Sequence, residues 1–160
     1  MESTQVRQLA EGLLRSVDDL EEEHTEWLEA VHSWDQLQRY GEEDADPEDL
    51  QAVETYRARL RSEHRETEPE DWEETDPILQ WLESALSVEV IESRSLGSYD
   101  REVHHYRVLC GWGGPNLWLH FHTTGQVEAV AAWWSAPESV WGSPKFAEQI
   151  LERLEEFDCA

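Results

Sequence analysis

From Val6 to Trp34, apolar or near-apolar residues recur at steps of three and four: Val6, Leu9, Leu13, Val17, Leu20, His24, Trp27, Val31 and Trp34. That spacing keeps one stripe of an α-helix turned toward a packing partner. The acids Asp18, Asp19, Glu21, Glu22, Glu23, Glu26, Glu29 and Asp35 all fall off the stripe, and no Lys or Arg interrupts between Arg15 and Arg39. The pattern predicts a helix from a Ser3 or Thr4 cap to about Tyr40, stopped by Gly41. Gly12 lies inside it and costs roughly 1 kcal/mol relative to Ala, so an early break is the alternative. Eight carboxylates over about 26 Å of helix give roughly one charge every 3.2 Å. One strand of duplex DNA carries a phosphate about every 3.4 Å.

The charge is unevenly distributed. The 160 residues carry a formal net charge of −25, with 25 acids against seven Arg in residues 1–76 and 12 acids against five bases in residues 77–160. Such a chain is repelled by nucleic acid and by anionic membranes and steers toward basic partners. Direct nucleic-acid binding and membrane binding are therefore not expected. A salt-adapted cytoplasm is the competing source of such a composition, although Glu outnumbers Asp by 27 to 10 where a more even mixture would be expected. Thirty-nine per cent hydrophobic residues and nine Trp are enough for a core. Two cysteines are too few for a disulfide scaffold, and Cys110 reads as a buried thiol. With no signal-peptide pattern and no apolar run near 18 residues, a cytoplasmic location is expected.

After Gly41, Glu42 to Asp46 reads as a charged turn. Asp46-Pro47 then pairs an N-cap with Pro at the first helical position, opening a second helix with stripe Leu50, Val53, Tyr56 and Leu60 that ends near His64. Residues 66–76 hold seven acids in eleven positions with one aromatic, Trp72, and read as a loop or linker that Trp72 can partly order. Asp76-Pro77 repeats the cap and opens a short helix with Ile78, Leu79, Trp81, Leu82 and Leu86 inward. The period then changes to two. Strands are expected around Val88–Val90, over Glu102–Cys110, over Asn116–His122 and over Gln126–Trp134. Ser135 to Ser143 reads as a loop, and a last helix from about Pro144 to Phe157 covers the sheet with Phe146, Ile150, Leu151 and Leu154. The expected fold is α+β. An acidic helical hairpin (1–65) and an acidic linker (66–76) precede a four-stranded antiparallel meander packed by a short helix and a C-terminal helix (77–160).

Cys110-Gly111-Trp112-Gly113-Gly114-Pro115, with Ala132-Trp133-Trp134 after the next hairpin, resembles a group of small phage- and plasmid-borne proteins. In these a strand enters a Gly-Gly-Pro turn and a Trp-containing segment follows. The group has Ser or Thr before the glycines, where this chain has Trp112. The resemblance covers residues 77–160 and implies a mobile-element setting, with no catalytic residues to carry over. In its charge character the whole chain resembles acidic DNA-mimic anti-defence proteins.

Three functional readings follow. The first is a non-enzymatic inhibitor that mimics nucleic acid and blocks the basic DNA- or RNA-binding surface of a host protein, of the anti-CRISPR or anti-restriction type. Its binding residues would be Asp18, Asp19, Glu22, Glu23, Glu26, Glu29, Asp35, Glu42, Glu43, Asp44, Glu70, Asp71, Glu73 and Glu74, with Trp118 and Trp134 adding directional contacts. Reversing Glu22, Glu23, Glu26 and Glu29 to Lys is expected to abolish binding and leave the fold intact. The second is an interaction adaptor that uses a Trp-rich sheet face. The third is a metal-dependent enzyme on His120 and His122, which leave one strand face together, with His104 or His105 opposite. The ordinary alternative for that pair is a polar outer face, with Leu117, Leu119 and Phe121 facing the core. No nucleophile elbow, P-loop or dinucleotide motif is present, so the preferred reading has no catalytic residues, cofactor or metal. The length of the first stripe also allows a homodimer.

Overall fold

The computed structural model describes residues 3–134 and 136–159. Its elements are α1 (Ser3–Tyr40), α2 (Pro47–Ser62), α3 (Pro77–Ser84), β1 (Ser87–Arg94), β2 (Arg101–Gly111), β3 (Asn116–His122), β4 (Val127–Trp133), β5 (Ala136–Gly142) and α4 (Ala147–Cys159). Short 3-10 segments cover Glu42–Asp44 and Pro69–Glu74. The class is α+β, with five strands instead of the expected four. By packing, Leu20–Gln80 forms one compact unit, and the remaining described residues form a second.

α1 runs through Gly12 without a break. It stops where Gly41 takes φ 81°, a left-handed conformation that favours glycine, and the Gly41 N–H donates to the Leu37 carbonyl at 2.9 Å. In the Leu20–Gln80 unit, Trp27, Ala30 and Leu37 of α1 cluster with Val53, Tyr56 and Leu60 of α2 and with Trp72. Leu50, expected on the stripe of α2, is exposed. The segment 66–76 is no bare linker, because Pro69 and Trp72 are buried in it. The Trp27 indole N–H donates to the Trp72 carbonyl at 2.7 Å, and the Trp72 N–H donates to the Thr67 carbonyl at 3.3 Å. Tyr56 meets the Trp72 ring edge-on at 5.0 Å. Burial, with Glu23 nearby, pushes the Tyr56 hydroxyl up to about 12. One aromatic thus pins an acidic loop that charge alone would leave extended.

In the second unit the sheet order is β1-β2-β3-β4-β5, antiparallel throughout. Tyr106, Val108, Leu119, Phe121, Val127, Ala129 and Ala131 are buried on one face. Phe146, just before α4, and Ile150, Leu151 and Leu154 of α4 are buried as well, and Trp81 of α3 meets Phe121 edge-on at 6.1 Å. The start of α1 belongs here too: a Cβ on Gly142 would lie 2.9 Å from Leu14 Cδ2, and Ser3 hydrogen-bonds Glu138. Leu86, expected inward, lies beyond the end of α3 and is exposed.

β5 replaces most of the loop expected over 135–143; Ser135 lies outside the described residues. Pro137 has no N–H for the ladder and is excluded from the middle of a sheet. β5 is an edge strand, where proline is tolerated, and its register runs Ala132↔Pro137, Val130↔Ser139, Glu128↔Trp141. The last helix begins at Ala147, three residues later than expected.

Candidate functional site

Within Leu20–Gln80 the sequence places 21 acids against five arginines. No base interrupts α1 between Arg15 and Arg39, but arginines from later in the chain relieve some of its acids. Arg59 of α2 reaches across to Glu26, with Nε–Oε2 at 2.5 Å and Nη2–Oε1 at 3.1 Å. It also lies 3.6 Å from both Glu22 and Glu63. Arg65 pairs with Glu23 at 2.6 Å and with Glu63. Asp35 pairs with Arg39 one turn on, at 3.0 Å. The hydrogen bond to Glu26 holds the Arg59 guanidinium in its charged form. Four of the proposed binding carboxylates, Glu22, Glu23, Glu26 and Asp35, are therefore already committed to arginines.

The consequence changes which acids can be reversed cleanly. Lys at Glu23 or Glu26 would set a cation against Arg65 or Arg59 and cost stability, so these two reversals do not read binding alone. Asp18, Asp19, Glu29, Glu42, Glu43, Asp44, Glu70, Asp71, Glu73 and Glu74 are all exposed and form no ion pair among the described residues. Glu70 and Glu73 line a cleft with Val31, Trp34, Asp35 and Gln38, which brings the second acidic loop alongside the end of α1. Local order comes from Asp46, which caps α2 through the Glu48 N–H at 3.0 Å, and from Asp76, which caps α3 through the Ile78 N–H at 2.8 Å.

The two tryptophans proposed as contacts lie in different environments. Trp118 is half-buried on the outer sheet face, with the Arg107 guanidinium 5.1 Å from its ring centre. Trp134 is 92% exposed at the end of β4, at φ 57°. Trp133 is half-buried and meets Trp134 edge-on at 6.3 Å.

The outer sheet face also carries the histidines. β3 alternates, so Trp118, His120 and His122 share a face while Leu119 and Phe121 point to the core. Of the two candidates on β2, His105 is the one opposite, in register with His122. Its ring lies 5.1 Å from His120 and 4.7 Å from His122. His104 instead approaches Ser93 Oγ at 2.9 Å. Two partners carried no signal in the sequence. Glu128 is in register with His120 and lies 3.3 Å from its Nδ1, and the Trp141 ring lies 4.9 Å from that of His122 at a tilt of 33°. Burial and the neighbouring imidazoles hold His105 down at about 4, and burial lowers His120 as well. His105 is therefore a neutral imidazole at pH 7. Cys110, pushed up to about 11 by burial, is a poor nucleophile.

Among the described residues, no helix is long and apolar enough to cross a membrane. No protein-family model matches this chain, and neither a curated protein nor a solved structure matches it.

Proposed function

We propose that this protein is a non-enzymatic inhibitor that mimics nucleic acid, occupying the basic DNA- or RNA-binding surface of a host protein such as a CRISPR or restriction complex. One observation carries the reading. After every arginine contact within Leu20–Gln80 is counted, the acidic segments Glu42–Asp44 and Glu70–Glu74 still present seven exposed carboxylates with no cationic partner among the described residues. Like charges held together on folded segments repel one another, and such a field is useful chiefly to a basic partner. The Trp72 anchor supports the same reading, because it holds one of these segments in place and a fixed array of carboxylates can match the spacing of phosphates.

The test is affinity capture from a host lysate at low and moderate salt, followed by elution with duplex DNA. The expected result is a stoichiometric nucleic-acid-binding protein, released by either salt or DNA. Recovery of a partner that resists both would contradict mimicry. A second reading, an interaction adaptor, is favoured by the nearly full exposure of Trp134. It predicts that Trp134→Ala abolishes capture, whereas mimicry predicts at most a modest loss.

A further inference from the structure

The outer sheet face holds a second cluster whose chemistry the acidic unit does not use. His120, His122 and Glu128 each offer one ligand atom, and the three atoms lie within 4.8 Å of one another. Two of the separations are 3.3 Å, between His120 Nδ1 and Glu128 Oε2, and 3.9 Å, between His122 Nε2 and the same oxygen. Metal–ligand bonds of about 2.0–2.2 Å at a tetrahedral angle place ligand atoms roughly 3.3–3.6 Å apart. Side-chain rotations of about an ångström would therefore close the set around one ion.

A second observation points the same way. His122 Nε2 is buried and has no hydrogen-bond partner among the described residues. At 3.9 Å the Glu128 carboxylate is too far to accept from it. A buried ring nitrogen left unsatisfied is unfavourable, and a metal ion would satisfy it. The rings are also held in place. His105 packs against both imidazoles and Trp141 covers His122, so little ordering remains to be done on binding.

We propose that His120, His122 and Glu128 bind one divalent transition-metal ion of the zinc class. Two imidazoles and one carboxylate select such an ion over Mg²⁺ and Ca²⁺, which prefer all-oxygen sites. Three protein ligands leave a fourth position for water or for a group from a partner. The site lies on β3 and β4, outside the Leu20–Gln80 unit, and stands whether or not mimicry is correct.

The test uses the full-length, tag-free protein stripped with chelator. It is equilibrated with Zn²⁺ in excess Mg²⁺ and Ca²⁺, which occupy the surface carboxylates, and retained zinc is measured after dialysis. The expected result is one zinc per chain. Substitution of Co²⁺ should give the intense visible absorption of a four-coordinate site. Glu128→Gln and His122→Gln should each weaken zinc binding at least about tenfold, and the pair more, since even the groups that support a metal's ligands are worth 10–100-fold. Should either variant fail to fold, X-ray absorption of the zinc-loaded wild-type protein decides alone: two imidazoles in the first shell support the site, and oxygen-only coordination overturns it. Zinc lost in excess Mg²⁺, or kept equally by the folded His122→Gln/Glu128→Gln variant, also overturns it.

Discussion

Replacing Glu42, Glu43, Asp44, Glu70, Asp71, Glu73 and Glu74 together with Lys lowers affinity for the captured basic partner by at least about a thousandfold in moderate salt, and leaves the melting temperature within a few degrees. The size of the effect follows from the charge. Each reversal adds two units, so seven take the formal net charge from −25 to −11 and turn the two acidic segments basic. Close charge pairs across a protein interface can each couple by more than about 1.5 kcal/mol, so losing a few of them reaches three decades. The fold should tolerate the change because all seven side chains are exposed and none is held by an arginine among the described residues. The binding constant is read by titration calorimetry and the fold by circular dichroism. Unchanged affinity in the folded variant would remove the mimicry reading.

The second large effect is on stability. Trp72→Ala should destabilise the Leu20–Gln80 unit by about 3–5 kcal/mol, the range for deleting a large buried aromatic. Trp72 is completely buried, its ring packs against Tyr56, and its carbonyl accepts the buried Trp27 N–H. Without the ring, the 3-10 segment Pro69–Glu74 has Pro69 as its one other buried residue to hold it. Trp72→Phe should cost less, since a smaller ring keeps part of the packing and loses the hydrogen bond to Thr67. Urea unfolding followed by far-ultraviolet circular dichroism separates the two. A Trp72→Ala cost below about 1 kcal/mol would mean that the segment is not anchored through this residue.

The helical elements were legible in the sequence because their signals are local. The three-four stripe ran unbroken from Val6 to Trp34 with Gly41 as the next stop signal, and two Asp-Pro caps marked the starts of α2 and α3. The central strands were equally plain, since residues on β3 alternate between core and outer face. What was missed depends on partners distant in the chain. Pro137 hid β5, because whether a proline is tolerated depends on whether the strand lies at an edge. The committed state of Glu22, Glu23 and Glu26 depends on Arg59 and Arg65, which lie 33 to 42 residues from Glu26 and Glu23 in the pairs they form. Arginines recurring at 57, 59, 61 and 65 opposite an acidic helix were the available hint. Glu128 became a partner of His120 only through the β3–β4 register, which follows from the length of the turn at Thr123–Gln126. Trp72 was visible as an isolated aromatic among acids, but its anchoring role required the α1–α2 core to exist first.

The measurement that bears most directly on mimicry is competition. The captured partner is loaded with a fluorescent duplex or RNA, and the purified protein is titrated in while anisotropy is followed. Mimicry predicts complete displacement of the nucleic acid, to an extent that falls as salt rises, and no displacement by the seven-fold Lys variant. Formation of a ternary complex, with the nucleic acid still bound at saturating protein, would contradict it.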